Sequence, residues 1–180
     1  MAELSIPDLL YGESMNNKRH FKPKKWRVRV LAQHEVPDYA PALRKLAHAE
    51  QARQDGKLLD GVDIDEYIEK LEGKAELAVL EVEGKCCGFC AFYTYDPTLD
   101  EAFIALFLVA PEVQRNGMAR GILESVAASA LQKGFRYLAL RVREDNDQAI
   151  QFYLSQGFLM AGQHGKDYAM RLEMTALSVG

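Results

Sequence analysis

A mixed α/β fold (α+β in layer terms) is what this 180-residue sequence predicts: a mostly antiparallel central sheet of six to seven strands with helices on both faces. Three observations predict it. Short strand-like runs alternate with helical patterns along the chain. Residues 77–95 hold two such runs broken by Glu83-Gly84-Lys85, the pattern of a hairpin. Residues 102–109 are apolar throughout, as expected of a central strand buried on both faces.

The elements follow in order. Trp26-x-Val28-x-Val30 alternates, so residues 26–32 form a first strand. Residues 37–54 carry Tyr39, Leu43, Leu46 and Ala47 at helical spacing, with Pro37 at the start and Gly56 past the end. A second, acidic helix covers 63–71 and stops at Gly73. The hairpin strands are 77–82 and 86–95, and the central strand is 102–109. A helix at 117–132 ends at Gly134, a strand follows at 135–142, and a helix at 147–155 ends at Gly157. From Phe158 onward one or two strands close the sheet, including 168–174.

The composition is 48% hydrophobic and 27% charged, which excludes a disordered chain, a collagen-like chain and a disulfide scaffold. The length suits one domain, expected at 25–176, behind a flexible N-terminal extension at 1–24. With 26 acids against 22 bases the net charge is −4, a poor basis for nucleic-acid binding. The bases are uneven: residues 14–34 hold seven Lys/Arg and no acid, a solvated basic run leading into the first strand. No window resembles a membrane span, and no basic region followed by an apolar run marks a signal peptide. Three closely spaced cysteines, an odd number, fit a reducing compartment, so a cytoplasmic location is expected.

Chemistry concentrates in two stretches. In the first, the strand ending at Val109 turns into a helix opening at Gly117. Small residues at Gly117 and Ala119 allow close backbone approach, and the free N–H groups of a first helical turn attract an anion. Arg115 and Arg120 flank the turn. No Gly-Lys-Ser/Thr of a P-loop is present, and the turn lies too late in the chain for a dinucleotide fingerprint. The second stretch runs from Arg141 to Phe158.

Together they resemble the GNAT superfamily of N-acetyltransferases. Gln114, Gly117 and Ala119 match its Gln/Arg-x-x-Gly-x-Gly/Ala motif. Asn146, Ala149, Tyr153, Gly157 and Phe158 match its Asn-x-x-Ala-x-x-x-Tyr-x-x-x-Gly-Phe segment, and the element order over residues 26–174 also fits. The resemblance implies acetyl-CoA as cosubstrate. Phe107, Leu108 and Val109 would present backbone groups to the acetyl and pantetheine arm. The loop of Arg115, Asn116, Gly117, Met118, Ala119 and Arg120 would cradle the pyrophosphate. Asn146 would touch the pantetheine, and Tyr153 would be the general acid that protonates the departing thiolate. Each has a plainer role available: Asn146 as an N-cap, Tyr153 as core.

The general base does not transfer. Glu101 precedes the strand where some relatives place a Glu, and Arg141 occupies another such position. Glu101 is the base candidate, with His48, Glu50 and His164 as further options. Cys87-Gly-Phe-Cys90 has the spacing of a redox or metal motif but falls on a strand, so buried, inert thiols and no metal are expected. Residues 50–76 carry nine acids and, by resemblance, line the acceptor pocket, where they would attract a cationic amine. The expected function is acetyl transfer from acetyl-CoA to a primary amine of a small molecule by direct attack, with homodimerisation left open. The alternatives are a protein lysine or N-terminal acetyltransferase and a non-catalytic CoA-binding domain.

Overall fold

The computed structural model describes residues 3–4, 24–95, 97–114 and 116–175. Its strands are β1 (Glu3–Leu4), β2 (Trp26–Val30), β3 (Glu76–Val82), β4 (Lys85–Tyr93), β5 (Glu101–Val109), β6 (Tyr137–Arg143), β7 (Leu159–His164) and β8 (Asp167–Glu173). The helices are α1 (Val36–Arg53), α2 (Ile64–Lys74), α3 (Met118–Gln132) and α4 (Asp147–Ser155). One sheet contains all the strands in the order β1-β2-β3-β4-β5-β6-β8-β7. Every neighbouring pair is antiparallel except β5 and β6. The expected extension at 1–24 lies outside the described residues except for Lys24 and the two-residue β1, which pairs with β2.

Two cores sandwich the sheet. On one face Ile122 and Val126 of α3 and Ile150 and Tyr153 of α4 pack over Ala78, Leu80, Cys90 and Leu138. On the other Leu43 and Ala47 of α1 and Ile68 and Leu71 of α2 pack over Leu77, Val79, Phe89 and Leu106. Thus residues 77–80 of β3 alternate between the two cores and are apolar on both faces, as suits a central strand, while Glu81 beyond them is a buried charge paired with Arg27.

Local chemistry sets the ends. Asp63 caps α2 by accepting from the Glu66 N–H, and α2 then runs through Gly73 to Lys74, one residue past the expected stop. Gly73 is the next-to-last residue of α2, where the helix interior penalty for glycine does not apply in full, and the burial of Ile64, Ile68 and Leu71 anchors the helix. Glu83 and Gly84 both take positive φ, which gives the two-residue hairpin between β3 and β4 its matching twist.

Strand β5 departs from the expectation of burial on both faces. Alternate residues are buried, while Phe103, Ala105, Phe107 and Val109 remain partly open and Phe103 is 36% exposed. The reason is a β-bulge: Ala91 pairs with Leu106 and Phe92 with Ile104, leaving Ala105 unpaired. Before the bulge Ala102 and Ile104 face the α3–α4 core; after it Leu106 and Leu108 face the α1–α2 core.

Candidate active site

The parallel pairing of β5 and β6 is short. It joins Glu101–Ile104 to Tyr137–Leu140 and then ends. From Ala105 and Arg141 onward the two strands share no ladder, and a cavity of about 550 Å³ opens between them. Its walls come from β5 and β6, from the turn entering α3, from α4, and from residues 50–59 at the end of α1 and beyond.

Backbone groups line the β5 wall. The Ala110 N–H donates to the Cys87 carbonyl at 2.8 Å, on the β4 side. By ladder alternation Leu108 also faces β4, and Phe107 and Val109 turn their N–H and C=O groups into the cavity. Leu108 therefore lines the cavity with its backbone polar groups committed elsewhere, a correction to its expected role as a backbone donor. The Val109 carbonyl is held by the Gln114 side-chain amide at 2.8 Å.

The α3 wall begins at Gly117, the N-cap, with φ +74° in the left-handed region. A Cβ there would meet nothing within 4 Å, so the space beside this backbone is open. The unpaired N–H groups of the first turn of α3 lie beside it, and that turn contains no acid. Gly117, Ala119 and Arg120 line the cavity. Met118 is 5% exposed and packs into the core, so its side chain is not available to a ligand. Asn116 is an exposed turn residue outside the lining, and Arg115 lies outside the described residues.

The α4 wall carries Asn146, Phe152 and Tyr153. Asn146 caps α4 by accepting from the Ala149 N–H at 3.2 Å, so the plainer role holds while the residue still lines the cavity. Tyr153 packs against Phe107, Phe152 and Phe158. Its phenol makes no hydrogen bond to a described residue, and among the described residues no sealed side-chain polar atom lacks a partner, so its hydroxyl reaches the cavity. Burial, and secondarily the neighbouring Cys90 thiol, pushes the phenol well above its ordinary value.

Glu101 opens β5 beside Tyr137, four strand residues or roughly 13 Å before Ala105. It does not line the cavity. His48 pairs with Asp65 in solvent, and His164 is exposed on the outer strand β7. Of these carboxylates and histidines only Glu50 reaches the cavity, and it is engaged. Arg53 donates to both its oxygens, at 2.8 and 2.5 Å, and Gln54 donates to one at 2.6 Å. Burial pushes the Glu50 carboxyl up, but these hydrogen bonds outweigh it and hold the group below its usual range. The other acids of 50–76 lie outside the lining, so the expectation that they draw in a cationic amine fails. Capping of α2 and pairing with Arg44 and Lys133 account for Asp63, Glu72 and Glu76.

The cysteines are free thiols. Cys90 is fully buried while Cys86 and Cys87 are half-buried, so only one matches the expected burial. Burial pushes all three up, Cys86 to about 11, which leaves them protonated and unreactive at neutral pH. Among the described residues no group of three or more His, Cys, Asp or Glu could hold a metal, and no helix is long and apolar enough to cross a membrane.

The sequence reading missed Arg53, Lys57 and Arg143 on the walls, and took Arg141 only as a missing base. The signal was Arg141-x-Arg143 at the end of a strand, two cations on one face.

Comparison with known proteins agrees with this geometry. The model of the acetyltransferase (GNAT) family matches residues 40–158, well over half of the chain. The [ribosomal protein bS18]-alanine N-acetyltransferase of Escherichia coli (strain K12) is 38% identical over 68 residues, covering 38% of this chain and 46% of the relative. The peptidyl-lysine N-acetyltransferase YiaC of the same organism is 32% identical over 80 residues, covering 44% of this chain and 47% of the relative. The chain thus spans about half the length of the curated relatives it matches. Among solved structures, the Thermoplasma acidophilum PaiA N-acetyltransferase in complex with coenzyme A shares the fold. Its TM-score is 0.61 at 16% identity, covering 83% of this chain and 99% of that one.

Proposed function

The chain belongs to the GNAT acetyltransferase family, and from that premise we propose that it transfers the acetyl group of acetyl-CoA to a primary amine. The observation that carries this is the divergence of β5 from β6 into a cavity. The Phe107 backbone and the Val109 N–H, turned away from β4, line one wall, the open N-terminus of α3 another, and the Tyr153 phenol a third.

The residues fit the cosubstrate on structural grounds. At Gly117 the empty space beside the backbone and the free N–H groups of α3 suit a pyrophosphate, which gains from the positive end of the helix dipole. Phe107 offers its amide and carbonyl, and Val109 its amide, to an extended pantetheine arm, as one strand does to another, while the Val109 carbonyl is held by Gln114. With the arm so placed, these two N–H groups would serve the thioester oxygen as it gains negative charge during amine attack. Asn146 lines the same wall.

In the reaction the amine nitrogen bonds to the carbonyl carbon, the carbon–sulfur bond breaks, and the proton that the nitrogen gives up balances the one that the departing sulfur takes. Tyr153 donates a hydrogen bond to the sulfur as charge develops there, and passes its proton on only as the nitrogen's own proton restores the phenol. Burial keeps its phenol protonated at every working pH, so it is always in the donor form. Glu50 is engaged by Arg53 and Gln54, and Asp167, the other carboxylate of the lining, stands on β8 opposite Arg143, past the point where β5 and β6 part, so on this reading the amine arrives neutral. At pH 7 an α-amine of pKa near 8 is roughly a tenth neutral, against about 0.04% for a lysine side chain. This favours a small amine of modest pKa, acting in the cytoplasm. A protein N-terminal α-amine is the second reading, favoured by the stretch similar to the bS18-alanine N-acetyltransferase.

The test is free-thiol release from acetyl-CoA across amines of graded pKa at constant pH. The reading expects kcat/KM to be highest for amines with pKa near 8. A clear preference for polyamines or lysine side chains would contradict it.

A further inference from the structure

Resting on the acetyl-transfer reading above, we infer that the acceptor carries a carboxylate close to its amine and that Arg141 reads it. The chain has a net charge of −4, yet its cavity is lined by five Lys/Arg and only two carboxylates. Most of these cations are engaged. Arg53 is held by Glu50, Arg120 by Glu124, and Arg143 by Asp145 and the Lys57 carbonyl. The Arg141 side chain is exposed and makes no hydrogen bond, ion pair or ring contact among the described residues.

Its place in the fold gives that free guanidinium a task. Arg141 follows Leu140, the last β6 residue paired with β5, so it stands where the two strands part. Leu138, Leu140 and Val142 face the α3–α4 core, which puts Arg141 and Arg143 on the opposite face of the strand. Arg143 reaches the Lys57 carbonyl, so this face looks toward the segment linking α1 to α2. An acceptor approaching from that side meets Arg141 at the depth of Ala105. The pyrophosphate cradle at Gly117 follows the other end of β5, beyond Val109, which is about 13 Å along the strand from Ala105.

A guanidinium presents a planar fork of donors that matches a carboxylate in two parallel bonds. It also repels an ammonium, which lowers the pKa of a nearby amine and favours the neutral nucleophile. An acceptor with its own carboxylate is anchored by the first effect and activated by the second. A purely cationic acceptor suffers only repulsion. The acceptor class is therefore an amine with a neighbouring carboxylate, present either in a free amino acid or in a peptide N-terminus followed by an acidic residue.

The experiment measures thiol release at saturating acetyl-CoA for matched pairs, with each kcat/KM expressed per neutral amine so that amine basicity cancels: alanine against alaninamide, and the amidated peptides Ala-Asp against Ala-Lys. The first pair tests the free amino acid and the second the peptide. The inference expects the carboxylate member of one pair to lead by about ten-fold in kcat/KM. Arg141→Gln should abolish that lead through the acceptor KM and leave the acetyl-CoA KM unchanged. Arg141→Lys keeps the charge, loses the fork and should recover only part of the lead. Equal rates within both pairs, a lead for the amide or lysine members, or an Arg141→Gln effect confined to the acetyl-CoA KM would overturn it. Calorimetry with CoA separates the two levels. A wild-type protein that binds no CoA overturns the acetyltransferase reading, whereas CoA binding with turnover indifferent to the carboxylate overturns this inference alone.

Discussion

At Tyr153 two roles meet in one side chain. Its ring belongs to the aromatic cluster with Phe107, Phe152 and Phe158, and its hydroxyl reaches the cavity. The sequence reading left these as alternatives, yet they are compatible, because an amphipathic ring can pack by its body and work by its tip. A phenol ordinarily near 10 faces a thiol ordinarily near 8.5, so full proton transfer is uphill, and burial steepens the slope. The main benefit therefore comes as a hydrogen bond to charge developing on sulfur. Tyr153→Phe keeps the ring contacts and removes the donor. It should lower kcat by about 10²–10⁴-fold with the acetyl-CoA KM little changed. The rise of kcat/KM with pH should keep following the acceptor amine in the variant, because the raised phenol pKa places no titration of Tyr153 in the neutral range. A variant with wild-type kcat, under conditions where chemistry limits the rate, would assign Tyr153 to packing alone. Asn146 shows the same doubling of roles, as cap and as cavity wall.

Among the elements, β5 organises the site and hides most in the sequence. Its run from Ala102 to Val109 is apolar throughout, so alternation could not reveal which face each residue takes. The bulge at Ala105 changes the face in mid-strand, and an all-apolar run is what permits such a change unseen. The hairpin, by contrast, was legible, because Glu83-Gly84 is turn chemistry that local sequence dictates. A second tight feature holds β5 in place. A Cβ at Gly88 on β4 would come within 2.9 Å of the Leu108 carbonyl oxygen and 3.4 Å of the Val109 Cα. Gly88→Ala must push β5 toward the cavity or strain the ladder. Overpacking of this kind costs about 1–3 kcal/mol. Chemical denaturation should show a loss in that range together with a higher acetyl-CoA KM. An unchanged midpoint would mean that β5 is free to shift.

Across the whole molecule the sequence located strands, helices and the α3 turn well, because each is set by short-range pattern and chain punctuation. It misjudged the charge of the site. Nine acids between 50 and 76 suggested an acidic pocket, whereas folding takes all but Glu50 away from the cavity and brings in Arg141 and Arg143 from another part of the chain. Charge along a sequence becomes charge around a cavity only after topology has selected which side chains meet. The helix cradle at Gly117, the divergence of β5 from β6 and the Tyr153 donor all depend on acetyl-CoA being what enters that cavity. Thermal unfolding with and without CoA, on the wild type and on Gly117→Val, tests this most directly. At a hundredfold excess over Kd the ligand should stabilise the wild type by about 2.7 kcal/mol, a rise in Tm of roughly 5–11 °C for a domain of this size. Gly117→Val puts a β-branched side chain at φ +74° in the space beside the cradle, and should lose the rise. An unmoved Tm in the wild type, or the same rise in both proteins, would contradict the account.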